Sequence, residues 1–77
     1  MTVTERIAAG RALLDQGKEK QACRELTDAI VDTRDAAQTE EIRHLADRGL
    51  SLSGFMGKGR WKELVRLCDA RRSAIAA

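Results

Sequence analysis

The chain has 77 residues, which is enough for one small domain and close to the size at which a single core is only just sufficient. Hydrophobic residues make up 43% and charged residues 34%, a mixture that favours a folded protein over a disordered tail. The net charge is +2, but residues 1–40 carry about −2 and residues 41–77 about +4. This asymmetry would suit an acidic partner or head-to-tail contact between copies.

The absence of proline and the abundance of Ala, Leu, Arg, Glu and Lys favour helix throughout. With only Phe55 and Trp61 as aromatic residues, the core is expected to be a thin layer of helix on helix that benefits from a partner chain. The first ten residues lack the apolar segment of a signal peptide, and no apolar stretch is long enough to span a membrane. We therefore expect a cytoplasmic protein.

The first half of the chain predicts two helices. The first covers about residues 3–16, and Thr2 and Glu5 have the spacing of a capping box at its start. Gly17 is placed to end it, and a second helix follows over about residues 18–33. One buried stripe of the second helix is formed by Ala22, Cys23, Leu26, Ala29 and Ile30.

The second half predicts another pair. Asp35 and Gln38 form a second plausible capping box, and a helix follows from residue 36 to residue 51 or beyond. The end of this helix stays open: the glycines and serines of residues 51–59 favour a break, but Phe55 and Met56 are too apolar for an idle loop, which favours continuation to Met56 and a stop at Gly57. A fourth helix covers about residues 60–76. The apolar faces comprise Ile42, Leu45, Ala46, Gly49 and Leu50, then Trp61, Leu64, Val65, Cys68 and Ile75.

The short connections at Gly17 and at residues 57–59 predict that consecutive helices pair antiparallel. The predicted fold is therefore all-α, a single domain over residues 1–77. It contains two hairpins, at about residues 3–33 and about residues 36–76.

The segment GRALLDQGKEKQACRELTDAI, residues 10–30, resembles a tetratricopeptide repeat. The resemblance rests on small residues where two helices cross or the chain turns, with Leu13 and Leu26 filling the large positions between them. The small residues are Gly10, Gly17, Ala22 and Ala29. Small residues permit close approach, and large ones fill the adjacent holes.

The second hairpin matches this pattern less well. In GKGRWKELVRLCDA, residues 57–70, Gly59 stands at the turn position and Trp61 at a common aromatic position. Leu64 and the later Arg71 replace the two expected alanines. Gly17 and Gly59 are 42 residues apart, whereas the family period is about 34. Another repeat of this general kind, or convergence on close helix packing, stays open.

The resemblance implies a concave groove lined by the first helix of each hairpin. Its matching positions are Thr4, Ile7, Arg11, Leu14 and Asp15, continued by Ala46, Gly49, Ser53 and Met56. Ile7 and Arg11 stand where repeats that clamp a peptide carboxylate have Lys and Asn, so that activity is not carried over. Alternatively, Ile7 and Leu14 pack inside or against another chain.

No catalytic, cofactor or metal site is predicted. Cys23 and Cys68 lie far apart in helical patterns, which favours buried, reduced thiols over a disulfide or metal role. His44 is expected to be a solvated side chain of the third helix. A role as general base would need a nucleophile and an orienting partner, and the sequence names neither. The tetrapeptide GKGR, residues 57–60, resembles a fragment of a phosphate loop, but a glycine-rich turn is the favoured interpretation.

We therefore predict a protein–protein interaction module, an adaptor or scaffold that self-associates as a homo-oligomer, with a dimer the simplest form. The candidate self-association residues are Leu50, Leu52, Phe55 and Met56. The alternative is a small nucleic-acid-binding regulator that uses a basic set around Trp61, diluted by Glu63 and Asp69. That basic set comprises Lys58, Arg60, Lys62, Arg66, Arg71 and Arg72.

Overall fold

The computed structural model describes residues 2–76. That part contains the α-helices α1 (Val3–Asp15), α2 (Glu19–Asp32), α3 (Ala36–Leu52) and α4 (Lys58–Ala76), with a short 3₁₀-helix (Phe55–Gly57) before α4. The prediction of an all-α fold is confirmed. None of the helices described combines the length and apolar content needed to cross a membrane.

Helices α1 and α2 form one antiparallel hairpin, and helices α3 and α4 form another. Near the start of α1, Arg6 Nη1 lies 3.4 Å from a carboxylate oxygen of Asp28, near the end of α2. In the same way, Glu40 near the start of α3 pairs with Arg72 near the end of α4. Hairpin 1 is therefore α1 with α2, and hairpin 2 is α3 with α4, as the short connections predicted.

The start and the end of α1 are fixed by the predicted local signals. The Glu5 amide donates to Thr2 Oγ1 over 3.1 Å, and the Thr2 amide donates to Glu5 Oε1 over 3.0 Å, which completes the capping box. After the helix, Gly17 adopts φ +76°, in the left-handed region that favours glycine. The chain then turns directly into α2.

The start of α3 follows only half of its predicted capping box. Asp35 Oδ1 accepts from the Gln38 amide over 3.0 Å, as expected. The Gln38 side chain does not return to Asp35, because its Oε1 accepts from Thr33 Oγ1 over 2.6 Å. The Asp35 amide, which would donate to Gln38 in a complete capping box, donates to the buried Thr33 hydroxyl over 3.2 Å.

One core is shared by all four α-helices. Two close helix approaches lie in it, one in each hairpin. A Cβ added to Gly10 would lie 2.7 Å from Leu26 Cγ, and one added to Gly49 would lie 2.5 Å from Trp61 Cζ2. The apolar core residues are Ile7, Leu14, Ala22, Cys23, Leu26, Ala29, Ile30, Ile42, Leu45, Ala46, Trp61, Leu64 and Cys68. The expected close crossing at Gly10 and Leu26 is present.

The connection between α3 and α4 differs from the prediction. Helix α3 ends at Leu52 rather than continuing to Met56, because the backbone of Ser53 is extended, with φ −78° and ψ 143°. The Ser53 amide donates to the Gly49 carbonyl over 2.9 Å, which closes the last turn. Gly59, expected at the turn, lies inside α4, which begins at Lys58.

Candidate interaction surface

The predicted groove between α1 and α3 is bridged by polar pairs. Its exposed α1 members each contact an α3 side chain: Gln38 Nε2 donates to Thr4 Oγ1 over 3.3 Å, Arg11 donates to Glu41 over 3.0 Å, and Arg48 donates to Asp15. The order of these pairs shows that α1 and α3 run in the same direction. The surface between them is polar, and each of its exposed ion pairs adds at most about 1 kcal/mol.

Five other predicted groove residues are not on the surface. Ile7 and Leu14 are only 3% and 2% exposed, so the alternative that they pack inside describes them correctly. Ser53, directly after α3, is also buried. Ala46 and Gly49, the weaker matches, are buried as well. Of the second half of the groove set, Met56 alone is exposed.

An apolar surface does occur at the connection between α3 and α4. Leu52 is 59% exposed, and Phe55 and Met56 are each 91% exposed. We call these three residues the turn patch. Leu50, the fourth predicted self-association residue, is partly buried against the core and does not belong to it. Scattered exposed apolar residues are ordinary, but three large ones within five positions form a candidate contact surface.

The α3–α4 connection, which carries the turn patch, is tied to hairpin 1. Glu19, at the start of α2, accepts hydrogen bonds from the Ser53 hydroxyl and from Trp61 Nε1, the latter over 3.4 Å. The hydrogen bond from Ser53 is the main reason that the pKa of Glu19 lies below its usual value, and the Trp61 hydrogen bond lowers it further. This Glu19 network joins α2, the α3–α4 connection and α4, so it holds the base of the turn in place.

The sequence did not reveal the Glu19 network. Its bonds join residues 34 and 42 positions apart, and no local spacing reports such a contact. The available signal was weak: a serine just after an apolar helix, and a tryptophan whose N–H needs a partner when buried. Trp61 was expected on the apolar face of the fourth helix, and it is fully buried there.

Two of the depressions on the described part of the surface differ in polarity. A cleft of about 410 Å³ adjoins the turn patch and is lined by Leu14, Asp15, Gly17, Glu19, Arg48 and Leu52. A more apolar depression of about 220 Å³, which we call the α2–α4 groove, is lined by Ile30, Val31, Leu67, Ala70, Arg71 and Ala74. In the α2–α4 groove, Arg71 Nη2 donates to the Val31 carbonyl over 3.0 Å.

The predicted basic set is not a single open patch. Arg66 pairs with Glu63 on its own helix, while Arg72 pairs with Glu40 and Arg71 holds the Val31 carbonyl. The remaining three cations are exposed on the first turns of α4: Lys58, Arg60 and Lys62. Trp61, which the set surrounds in sequence, is 0% exposed and cannot stack on a base.

The residues with reactive potential are unpaired in the described part of the chain. Cys23 and Cys68 are free and buried. Burial raises the pKa of both thiols, that of Cys68 to about 11, so both stay protonated near neutral pH. His44 is exposed on α3. Within residues 2–76, no group of three or more His, Cys, Asp or Glu side chains has the geometry of a metal site.

No family model, curated protein or solved structure matches the chain. The resemblance to tetratricopeptide repeats therefore stays a prediction from the residues. The functional argument rests on the surfaces described above.

Proposed function

We propose that this chain is a protein-interaction module that self-associates through the turn patch. The observation that carries the proposal is the 91% exposure of Phe55 and Met56, two large apolar side chains beside the exposed Leu52. Transferring each such side chain from water into a contact contributes about 1.5–3 kcal/mol. Aromatic residues and methionine are also enriched in the centres of protein interfaces.

The shape of the molecule supports a second copy as the partner. The chain forms a slab of 35 × 24 × 14 Å, with one shared core and only two hairpins. If it is a repeat protein of the tetratricopeptide kind, two hairpins are fewer than the three repeats usually needed for a stable stack. Association covers the open faces of such a short stack.

The two free thiols also suit the reducing cytoplasm, where we place the protein.

The test is the molar mass in solution, measured by light scattering behind size-exclusion chromatography for the wild type and Phe55→Asp. We expect a concentration-dependent oligomer for the wild type and a monomer for the variant, because a buried carboxylate without a partner strongly opposes the contact. Phe55→Leu keeps an apolar group and should stay oligomeric. Ser51→Asp adds the same charge at an exposed position on α3 and should also stay oligomeric.

The proposal also requires that Phe55→Asp leaves the fold intact. Because Phe55 is 91% exposed, its replacement should not change the helical circular dichroism of the monomer. An unchanged molar mass for Phe55→Asp, at concentrations where the wild type is oligomeric, would contradict the role of the turn patch.

Nucleic-acid binding is the competing function, and its support is the exposed trio Lys58, Arg60 and Lys62 at the start of α4. It predicts salt-sensitive retention on DNA or RNA, which weakens when Arg71 and Arg72 become alanine. Because half of the basic set is engaged within the chain and the buried Trp61 cannot stack on a base, we expect no such retention. Clear retention at low salt would favour the regulator instead.

A further inference from the structure

A depression of about 320 Å³ lies between α2 and the start of α4. The two helices are close there, since the Cys23 thiol donates over 3.8 Å to the Arg60 carbonyl. Lys20 and Arg24 lie one turn apart on α2, and Arg60 lines the same depression from α4. We call this depression the cation pocket. Its other lining residues are Cys23, Thr27 and Asp28.

The three cations of the pocket have no partner of opposite charge. Within residues 2–76, no ion pair joins Lys20, Arg24 or Arg60 to a carboxylate, although six other arginines have one. Side chains four residues apart on a helix are neighbours, so Lys20 and Arg24 repel each other in the free chain. A bound anion would replace that repulsion with attraction.

The carboxylates of α2 beside the pocket are engaged elsewhere. Arg6 Nη1 of α1 lies 3.4 Å from both Glu25 and Asp28, and of these two only Asp28 lines the pocket. Glu19, at the start of α2, belongs to the Glu19 network described above. The pocket therefore presents three cations against one carboxylate, which it shares with an arginine of another helix.

The directions of the helices strengthen this positive charge. Because both hairpins are antiparallel and α1 and α3 run in the same direction, α2 and α4 begin at the same end of the molecule. The start of an α-helix carries partial positive charge, and an anion there is favoured. Lys18 occupies the N-cap position of α2 without a capping hydrogen bond, and Lys58 begins α4. Positive side chains and positive helix ends therefore coincide beside the pocket.

We propose that the cation pocket binds a phosphate group, either as free phosphate or as a phosphate monoester. A monoester carries about −1.5 to −2 charge near neutral pH and three strong acceptor oxygens. Two arginines and a lysine match that charge, and arginine is suited to bidentate contact with phosphate. The half-buried Thr27 hydroxyl is a further donor. A carboxylate, with one charge and two oxygens, would leave part of this set unmatched.

The pocket shares no residue with the turn patch. The proposal therefore goes beyond self-association and does not depend on it. A monomeric wild type would contradict self-association without affecting phosphate binding, and a chain that binds no phosphate could still self-associate.

A second depression with two cations is a less suitable site. It is lined by Arg34, Arg71, Ala74 and Ile75. Arg71 already donates to the Val31 carbonyl, and none of the four lining side chains offers a hydroxyl. Arg34 is therefore a useful control, because it is an exposed arginine outside the cation pocket.

The test is a titration of the isotope-labelled chain with sodium phosphate at constant ionic strength, followed by the amide chemical shifts in NMR spectra. We expect saturable shifts at the residues that line the cation pocket, and no saturable shifts with sodium acetate. Constant ionic strength is essential, since salt screens exposed charges and would itself move the signals.

Matched variants separate the pocket from general electrostatic attraction. Arg24→Gln and Arg60→Gln each remove one charge from the pocket, and each should raise the dissociation constant for phosphate roughly fivefold. Arg34→Gln and Lys62→Gln remove the same charge from exposed positions outside the pocket, and they should change it less than about twofold. All four positions are exposed, so the helical circular dichroism should be unchanged.

Three results would overturn the proposal: shifts that do not saturate, an equal response to acetate, or a loss for Lys62→Gln as large as that for Arg24→Gln. Each would show that the chain attracts anions only in a general way. The third result, repeated with a short RNA, would favour the nucleic-acid-binding regulator instead.

Two further probes identify the source of the phosphate group. Glycerol phosphate presents it on a small molecule, and phosphoserine with both ends blocked presents it as a modified protein side chain. Saturable binding that Arg24→Gln weakens supports the pocket with either probe, and the probe that binds more tightly identifies the source. Failure of both probes and of inorganic phosphate to bind would overturn the proposal.

Discussion

The two hairpins use the same packing device with different partners. In hairpin 1, Gly10 lies against Leu26, so the close approach is apolar on both sides. In hairpin 2, Gly49 lies against Trp61, whose indole N–H also donates to Glu19 of hairpin 1. Gly10 therefore allows close packing within hairpin 1 alone. Gly49 allows close packing of Trp61, which also connects hairpin 2 to hairpin 1.

The connections within the two hairpins also differ, in the side chains that they expose. Hairpin 1 turns tightly at Gly17 and exposes no large apolar side chain there. Hairpin 2 turns through Ser53 and a 3₁₀-helix that presents Phe55 and Met56 to solvent. The two connections therefore differ in what they expose, since large apolar side chains are exposed at the connection of hairpin 2 and not at that of hairpin 1.

The largest effect on stability is expected for Gly49→Ala. The added Cβ would lie 2.5 Å from three atoms of the fully buried Trp61 ring, which has no space to move away. We expect the free energy of unfolding to fall by about 1–3 kcal/mol, measured by urea denaturation. Gly59→Ala is the control, since nothing lies within 4 Å of its Cβ position in α4, and it should be neutral or slightly stabilising. Equal stability of the two variants would contradict this account of hairpin 2.

A smaller loss is expected for Gly10→Ala. Its Cβ would lie 2.7 Å from Leu26 Cγ and Cδ2, but a leucine can adjust by rotation more easily than a wedged indole. Alanine also gains up to about 1 kcal/mol of helix propensity at this position, which offsets part of the clash. The same urea measurement should place Gly10→Ala between Gly59→Ala and Gly49→Ala. A loss greater than that of Gly49→Ala would reverse the ranking of the two hairpins.

The smallest of these effects is expected for Glu19→Gln, and it should depend on pH. The folded-state pKa of Glu19 is lowered below its usual 4.5, mainly by the Ser53 hydrogen bond. Its stabilisation is therefore fully present above about pH 4.5 and is lost as the pH falls through the lowered pKa. Glu19→Gln should be less stable than the wild type near neutral pH by at most about 1 kcal/mol, with the gap closing in acid.

The matched control for that profile is Glu63→Gln. The pKa of Glu63 is also lowered, by its hydrogen bonds with Arg66 on the same exposed helix face, but this pair joins no separate elements. Its removal should have a smaller effect because solvent screens an exposed pair. If Glu19→Gln lowers the free energy of unfolding at neutral pH by no more than Glu63→Gln does, the Glu19 network does not couple the hairpins.

The sequence predicted the parts of the fold that depend on neighbouring residues. The Thr2–Glu5 capping box, the turn at Gly17 and the buried stripe of α2 are all local patterns, and the structure contains them. The end of α3, which the sequence left open between residue 51 and Met56, lies at Leu52. It ends there because the backbone of Ser53 is extended, and no local spacing in the sequence signals this.

The surfaces were predictable only in part. Phe55 and Met56 were selected because they were too apolar for their surroundings, and they are exposed. Ile7 and Leu14 were placed in a groove by resemblance, yet they are buried, because periodicity identifies an apolar face without showing what covers it. The α2–α4 groove combines residues some 40 positions apart, such as Val31 and Arg71, and no sequence pattern reports that neighbourhood.

The most direct test of the central claim is the molar mass of the wild-type chain across a wide concentration range, by light scattering behind size-exclusion chromatography. A mass that rises with concentration above the 8.5 kDa of one chain, and that Phe55→Asp holds at 8.5 kDa, is the predicted result. A wild type that stays at 8.5 kDa at all concentrations would contradict self-association through the turn patch.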